Sequence, residues 1–284
     1  MTTNSFGDWL AHASRQSSTP ATPALEAQAL LAHATGLERA FILAHPEQTL
    51  DDEQLTFLTR ALKRLQSGEP LAYITGRREF YGLELAITPD VLVPRPETEL
   101  LVEQAILWLR ANPGRRRAAD IGTGSGCIAL ALAHTLPDLS LSAGDRSPAA
   151  LQLAAANSRR YGLQERIHFV HSDLLEHMPG PFDLLCANLP YIPTATLQDL
   201  AVAQHEPHLA LDGGPDGLRL IARLLAQAPQ RLAPAACILL EIEAGQGQSA
   251  PALARETFPQ AGIHLHHDYA GHPRLLHIQL PSEA

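Results

Sequence analysis

From Arg117 onward the chain alternates short apolar runs with stretches of helical periodicity, and this alternation constrains the fold more than any other feature. Strands are read at "RAADIG", "LSAGD", "IHFVHSD", "FDLLCAN", "CILLEI", "IHLHHD" and "LLHIQL". Helices lie between the earlier ones, and "PETELLVEQAILWLRAN" precedes the first. Such a pattern predicts a doubly wound α/β sheet. The last link breaks the rhythm. Between "IHLHHD" and "LLHIQL" stands only "YAGHPR", too short for the crossover a parallel neighbour needs, so the final strand is expected to run antiparallel beside the one before it.

Upstream the signals are helical. "TPALEAQALLAHATGL" offers Thr22 as an N-cap and Pro23 at the first helical position. It places Leu25, Ala29 and Ala32 on one face, with Leu30 and Leu31 widening the stripe. "DDEQLTFLTRALKRLQSGEP" does the same with Leu55, Leu58, Leu62 and Leu65. Its acidic first turn and late Lys63 and Arg64 suit the helix dipole, and Gly68 and Pro70 stop it. From Tyr73, "EFYGLELAITPDVLVP" brings aromatic and β-branched residues with turn signals. The expected organisation is a helical bundle over 1–72, a β connection over 73–94 and the α/β domain over 95–284.

A chain of 284 residues has room for both parts. Its net charge of −9 argues against a standing nucleic-acid duplex, whose binders carry a basic face. The arginines of "GRREF" and "GRRRAAD" read as solvated side chains near element ends. Cys127, Cys186 and Cys237 lie far apart in apolar runs without a C-x-x-C pair, so neither disulfides nor a thiolate zinc site are expected. "HLHHDYAGHPRLLH" gathers His264, His266, His267, His272 and His277, but only Asp268 stands near as a carboxylate, and no metal is expected. "GTGSG" is no nucleophile elbow, because its central residue is Gly124. With neither a secretory leader in "MTTNSFGDWLAHASRQ" nor an apolar run of membrane-spanning length, a soluble cytoplasmic protein is expected.

"DIGTGSGCIALALA" sets Gly122, Thr123, Gly124, Ser125 and Gly126 between a strand and a helix. Such a loop turns tightly, approaches a ligand closely and presents helix N-terminal amides. Asp145 follows the next strand, about 20 residues on, where a carboxylate accepts from ribose hydroxyls. "GSGCIA" also satisfies a dinucleotide G-x-G-x-x-A pattern, so an oxidoreductase is a rival. Asp120 before G-x-G-x-G and the antiparallel last strand favour an S-adenosylmethionine-dependent methyltransferase. Asp173 in "HSDLL" then looks like the position that meets the adenine amine.

"CANLPYIP" carries the chemistry. A sulfonium methyl donor is a strong electrophile, so the reluctant partner is an acceptor nitrogen whose lone pair is delocalised. Two fixed carbonyl oxygens that accept its N–H bonds orient it and stabilise the charge that develops. Asn188 supplies one carbonyl from its side chain. The main chain of Leu189, restricted by Pro190, supplies the other, and Tyr191 forms a wall for the planar acceptor.

"NLPY" resembles the N-P-P-Y box of amino-methyltransferases, and the wider chain is similar to the HemK-type family, the peptide chain release factor glutamine N5-methyltransferases. The matching runs are "PLAYITGRREFYGLELAITPDVLVPRPETELLVE", "DIGTGSGCIALALA", "NLPYIP" and "HEPHLALDGGPDGLRLI", with a weaker match at "EIEAGQG". The resemblance implies a Rossmann-like class I methyltransferase sheet joined by a β-hairpin to a small N-terminal helical domain that helps dock the release factor. It implies that Gly122 to Gly126, Asp145, Asp173 and Leu174 surround S-adenosyl-L-methionine and that Asn188 touches both cofactor and substrate. Asn188 to Tyr191 would grip the glutamine of the release factor's Gly-Gly-Gln loop. Arg95 and Glu97, at a helix start with Glu99, are placed beside cofactor or substrate. A monomer with no metal and no stable nucleic-acid partner is expected. Two residues depart from the family: Leu189 replaces a proline, and Glu243 stands where a glycine is usual. An exocyclic-amine methyltransferase acting on nucleic acid, a methyltransferase acting on another protein glutamine and a binding module without activity remain as alternatives, with the dinucleotide-binding oxidoreductase behind them.

Overall fold

The computed structural model describes residues 4–16 and 23–282, so the expected cap at Thr22 lies outside the described residues. The chain divides into two compact units, Met1–Arg77 and Arg78–Ala284. The first holds helices α1 (Phe6–Gln16), α2 (Pro23–Thr35), α3 (Arg39–Ala44), α4 (Asp52–Gln66) and α5 (Leu71–Thr75). Its core gathers Phe6, Trp9, Leu30, Leu31, Ile42, Leu58, Leu62, Leu65 and Ile74. Helix α4 buries Leu58, Leu62 and Leu65 as its spacing predicts, and Asp51 caps it through a reciprocal bond with Gln54. Helix α2 corrects the sequence pattern. Its buried face is Ala27, Leu30 and Leu31, whereas Leu25 is 49% exposed. Leu25 lies off that stripe, and the i, i+3, i+4 rule that joins Ala27 to the two leucines excludes it. Helix α5 also occupies Leu71–Thr75, where β structure is expected from Tyr73.

The second unit follows with a hairpin of β1 (Arg77–Phe80) and β2 (Leu83–Ala86), then α6 (Glu99–Ala111). The alternating part comprises β3 (Arg117–Ile121), α7 (Cys127–Thr135), β4 (Ser140–Asp145), α8 (Pro148–Arg160), β5 (Ile167–His171) and β6 (Phe182–Ala187). After β6 come a short strand β7 (Ile192–Pro193), α9 (Thr194–Leu197) and β8 (Asp212–Gly214), which pairs with β7. The chain ends with α10 (Arg219–Gln227), β9 (Leu232–Glu241), α11 (Ser249–Thr257), β10 (Gly262–His267) and β11 (Pro273–Gln279).

The main sheet has seven strands in the order β10-β11-β9-β6-β3-β4-β5. The five from β9 to β5 are parallel to one another. The last strand, β11, is antiparallel to both β10 and β9, as the short final link requires. It inserts between them, a placement the link length does not dictate. All six residues of central β6 are buried, which explains why "FDLLCA" reads as a continuous run without alternation. The arginines of "GRRRAAD" are tied down at the amino end of β3: Arg115 and Arg117 pair with Asp183, and Arg116 with Asp138. Among the described residues no helix is long and apolar enough to cross a membrane.

Two polar side chains hold the glycine loop at the opposite, carboxyl end of β3. Asp120 is fully buried, and its Oδ2 accepts from Thr123 Oγ1 at 2.6 Å and from the Ala129 amide at 3.2 Å. Asn157 of α8 donates to the carbonyls of Ser125 and Ala86 and accepts from the Ala86 amide, so one buried amide joins the loop to the hairpin. Gly126 has φ +85° at the start of α7, and a Cβ there would lie 2.4 Å from Leu130 Cδ1.

Burial raises the Asp120 carboxyl from 3.8 to about 7. Between those values the folded chain keeps a proton that the unfolded chain has released. This group's contribution to stability therefore falls as pH rises through that window, by up to ~4 kcal/mol. Asp120→Asn has no such titration. Denaturant unfolding of both proteins from about pH 4 to about pH 8 is expected to show the stability difference moving steadily toward the variant; a difference independent of pH would mean that Asp120 ionises at the ordinary value.

Candidate active site

A cavity of about 370 Å³ opens at the carboxyl ends of β3, β4, β5 and β6, where doubly wound sheets place their ligand sites. Each strand delivers a polar residue just at or beyond its last residue: Thr123, Asp145, Asp173 and Asn188. Gly122, Thr123, Gly124, Ser125, Asp145, Asp173, Leu174, Asn188, Leu189, Pro190 and Arg95 all line it. Gly126, Tyr191 and Glu97 do not.

The loop owes its shape to its glycines. Gly122, Gly124 and Gly126 have φ of +74°, +56° and +85°, in the left-handed region that side chains disfavour. The amides of Gly122 and Thr123 both donate to the Gly144 carbonyl of β4, at 2.8 and 3.0 Å. Asp145 accepts from the Gly124 amide with Oδ2 and from the Ser147 amide with Oδ1, each at 2.8 Å, and burial raises its carboxyl above the usual range. Asp173 stands at the rim in an ion pair with Arg223 at 3.0 Å. Leu174 beside it is buried with φ +54°, a strained conformation for a leucine at the cavity wall.

Beyond β6 the tetrad is held from several sides. Asn188 Nδ2 donates to Thr98 Oγ1 at 3.0 Å, and Thr98 Oγ1 donates to Glu241 Oε2 at 2.7 Å. Tyr191 donates its hydroxyl to Glu241 Oε1 at 3.2 Å. Tyr191 thus faces the end of β9, and its ring is no part of the cavity wall where the sequence places it. Its phenol is held well above the ordinary value, first by burial and then by the Glu241 charge. Glu241 is 2% exposed, and burial pushes its carboxyl up, opposed by the two hydroxyl bonds.

The main chain of the tetrad is equally fixed. Gln246 Nε2 donates to the Tyr191 carbonyl at 3.2 Å while its Oε1 accepts from the Glu243 amide at 3.0 Å. The Ile192 amide bonds the Leu211 carbonyl at 3.1 Å. A Cβ on Gly217, whose φ is +75°, would sit 2.1 Å from the Tyr191 oxygen, so only glycine fits. The departures from the family pattern have local explanations. The Leu189 side chain is buried in the core that contains Ile121 and Leu240, and Glu243 completes a capping box with Gln246.

The "RPETE" stretch distributes its side chains differently from the sequence expectation. Arg95 reaches the cavity and bonds Glu206 at 2.5 Å, and Glu206, 4% exposed, also accepts from the Val93 amide. Glu97 is exposed. Glu99 accepts from the amide of Tyr81 in the hairpin turn, away from the cavity. Thr98, between them, is 1% exposed and meets Asn188. It is a site residue that the sequence pattern conceals, because a threonine before a helix looks like a cap, yet Thr98 makes no capping bond.

The family description "PrmC N-terminal domain" matches residues 8–76, and "Methyltransferase small domain" matches residues 97–258. A release factor glutamine methyltransferase of Moorella thermoacetica is 44% identical over 255 residues, covering 89% of each chain. One of Bradyrhizobium diazoefficiens is 40% identical over 262 residues, covering 88% of this chain and 86% of its own. A methyltransferase structure from Pyrococcus furiosus has a TM-score of 0.53 at 18% identity, covering 72% of this chain and 90% of that one, a likeness of fold. The chain belongs to the release factor glutamine methyltransferase family.

Proposed function

We propose that this protein transfers a methyl group from S-adenosylmethionine to the side-chain amide nitrogen of the glutamine in the Gly-Gly-Gln loop of translation release factors. One observation carries the reading. The Asn188 amide nitrogen is committed to Thr98, which leaves the Asn188 carbonyl oxygen, without a partner among the described residues, on the residue that lines the cavity. A substrate amide N–H is the complementary donor.

The cavity suits the cofactor on its own features. A Cβ on Gly124 would meet nothing closer than the Gly122 oxygen at 4.0 Å, so the loop backbone itself is the surface a ligand meets. Asp145 offers half-buried carboxylate oxygens for hydroxyl donors, and Asp173 with Leu174 offers a polar and an apolar edge for a base. Gly122 to Ser125, Asp145, Asp173 and Leu174 would hold the cofactor, with Gly126 acting through packing. When bound, S-adenosylmethionine supplies an electrophilic methyl on a sulfonium.

The chain's own residues handle the nitrogen. Asn188 Oδ1 accepts one N–H of the glutamine amide, and the Leu189 main-chain carbonyl accepts the other. Both orient the lone pair and stabilise the positive charge that develops as the nitrogen takes the methyl group; the nitrogen then gives up one N–H proton to solvent, which restores a neutral amide. Pro190, which follows, restricts the backbone that carries the Leu189 carbonyl, while Tyr191 acts from behind through Glu241. Arg95, clamped by Glu206, lies at the mouth and contacts substrate.

The helical unit would dock the release factor. Its exposed Leu25, Leu37, Phe41 and Leu43 and its match to the PrmC N-terminal domain support that role. A cytoplasmic monomer without a stable nucleic-acid partner agrees with the net charge of −9 and with the structural ion pairs that occupy Arg115, Arg116 and Arg117.

Incubation with S-adenosylmethionine and an unmodified release factor, followed by mass mapping of the Gly-Gly-Gln peptide, is expected to show one added methyl group on glutamine; methylation of nucleic acid instead would reject the substrate. Asn188→Ala removes the side-chain carbonyl and is expected to lower kcat by at least ~100-fold with the melting temperature little changed; near-parental turnover would refute the two-carbonyl clamp. Asp145→Ala is expected to weaken cofactor binding by calorimetric titration, by about tenfold or more, as one charge-assisted hydrogen bond implies. Unchanged affinity would place the ribose elsewhere.

A further inference from the structure

Asparagine presents two nearly isosteric ends, and only the carbonyl end serves an acceptor for N–H groups. If the Asn188 amide were turned over, an NH2 group would face the substrate NH2, and the clamp would repel what it must hold. Something must therefore choose the orientation. Asn188 itself cannot, because the two orientations differ only in their hydrogen bonds.

The chain of bonds behind Asn188 makes the choice. Glu241 accepts two hydroxyl donors, from Thr98 at 2.7 Å on Oε2 and from Tyr191 at 3.2 Å on Oε1. In its ionised form Glu241 has no proton to give, and the Thr98 hydrogen points at its Oε2. The Thr98 oxygen then has only lone pairs left, and it accepts the Asn188 Nδ2 hydrogen at 3.0 Å. Direction is thereby transmitted from β9 to the end of β6 through a residue of neither strand. Both Thr98 and Glu241 are nearly inaccessible to water, at 1% and 2% exposure, so no solvent molecule substitutes for either partner.

We infer that Glu241, acting through Thr98, is the positioning residue that fixes the Asn188 amide with its carbonyl toward the acceptor nitrogen. This rests on the proposed amide methylation, and it assigns a function to two residues behind Asn188, of which Thr98 lines the cavity and Glu241 does not. A merely structural ion site would stabilise the fold without caring which end of Asn188 faces the cavity.

The test compares Thr98→Val, Thr98→Ser, Glu241→Leu and the double variant Thr98→Val/Glu241→Leu. Thr98→Val keeps the shape and deletes the relay; kcat is expected to fall about tenfold, the equivalent of one lost hydrogen bond, with KM for the release factor and affinity for the cofactor unchanged. Thr98→Ser restores the hydroxyl and is expected to return kcat to within about twofold of the parent. Glu241→Leu frees the Thr98 hydrogen to donate to Asn188 Oδ1 and so to turn the amide over. It is expected to cost at least as much as Thr98→Val. In the double variant no hydroxyl remains to enforce the wrong orientation, and kcat is expected at the Thr98→Val level, not at the product of the two losses. Parental turnover in Thr98→Val, failure of Thr98→Ser to rescue a folded protein, or multiplicative losses in the double variant would each overturn the inference. Should Glu241→Leu not fold, the two Thr98 variants decide the matter. A readout independent of methyl transfer separates this inference from the substrate assignment. The Asn188 side-chain NH2 signals, followed by nuclear magnetic resonance, are expected to be protected from solvent exchange in the parent and exposed in Thr98→Val and Glu241→Leu. Equal protection in all three proteins would overturn the inference whatever the substrate is.

Discussion

Carboxylates buried at the carboxyl edge of the sheet are the constraint on which this architecture turns. Asp120, Glu206 and Glu241 are each at most 4% exposed, in positions where an isolated charge would be costly. Each is offset by donors that come from a different part of the chain: Asp120 from the glycine loop and α7, Glu206 from Arg95 and the Val93 amide, Glu241 from Thr98 and Tyr191. Segments that must converge on the cavity are therefore compelled to do so, because any that strays leaves a buried acceptor unpaired. The "RPETE" turn is drawn in by the same means, through Arg95 and Thr98, whereas the hairpin is joined to the glycine loop through the buried Asn157 amide.

Strand alternation, the glycine loop and the antiparallel end were all legible in the residues because their signals are local. A periodic run, a glycine cluster or a short link states its conformation within a few positions. The loop residues and Asp145 line one cavity for the same reason: a strand end followed by a helix start has only one place to go. The face of α2 is ambiguous because two hydrophobic stripes overlap in "PALEAQALLAHA", and the contact partner, not the period, selects the one without Leu25.

What stayed hidden was pairing over distance. Thr98 and Glu241 are separated by 143 positions, and Glu206 lies 111 positions from Arg95. Nothing in "RPETE" says that its threonine will be buried or that its Glu97 will face water. Nothing in "AANSRR" shows that Asn157 will use donors and acceptor together to join the hairpin to the glycine loop. For Tyr191 the residue type was informative and its direction was not. The residue ends the tetrad, but the buried carboxylate claims its hydroxyl and turns the side chain toward β9.

The leucine within "NLPY" follows from the same division of labour. A proline at position 189 would rigidify the turn covalently. In this chain rigidity comes from outside: Gln246 holds the Tyr191 carbonyl, β8 holds Ile192 through the sheet pairing, and Gly217 packs against the turn with no room for a side chain. Position 189 is then free to serve the core. Its side chain reaches Gly122 closely enough that a Cβ there would lie 3.2 Å from Leu189 Cδ2, so it presses the tetrad against the cofactor loop. The substitution exchanges a stiff ring for a packing contact between the two halves of the site. The constraint on the main-chain carbonyl survives because it depends on Pro190 and on the anchors beyond it, not on the side chain at 189.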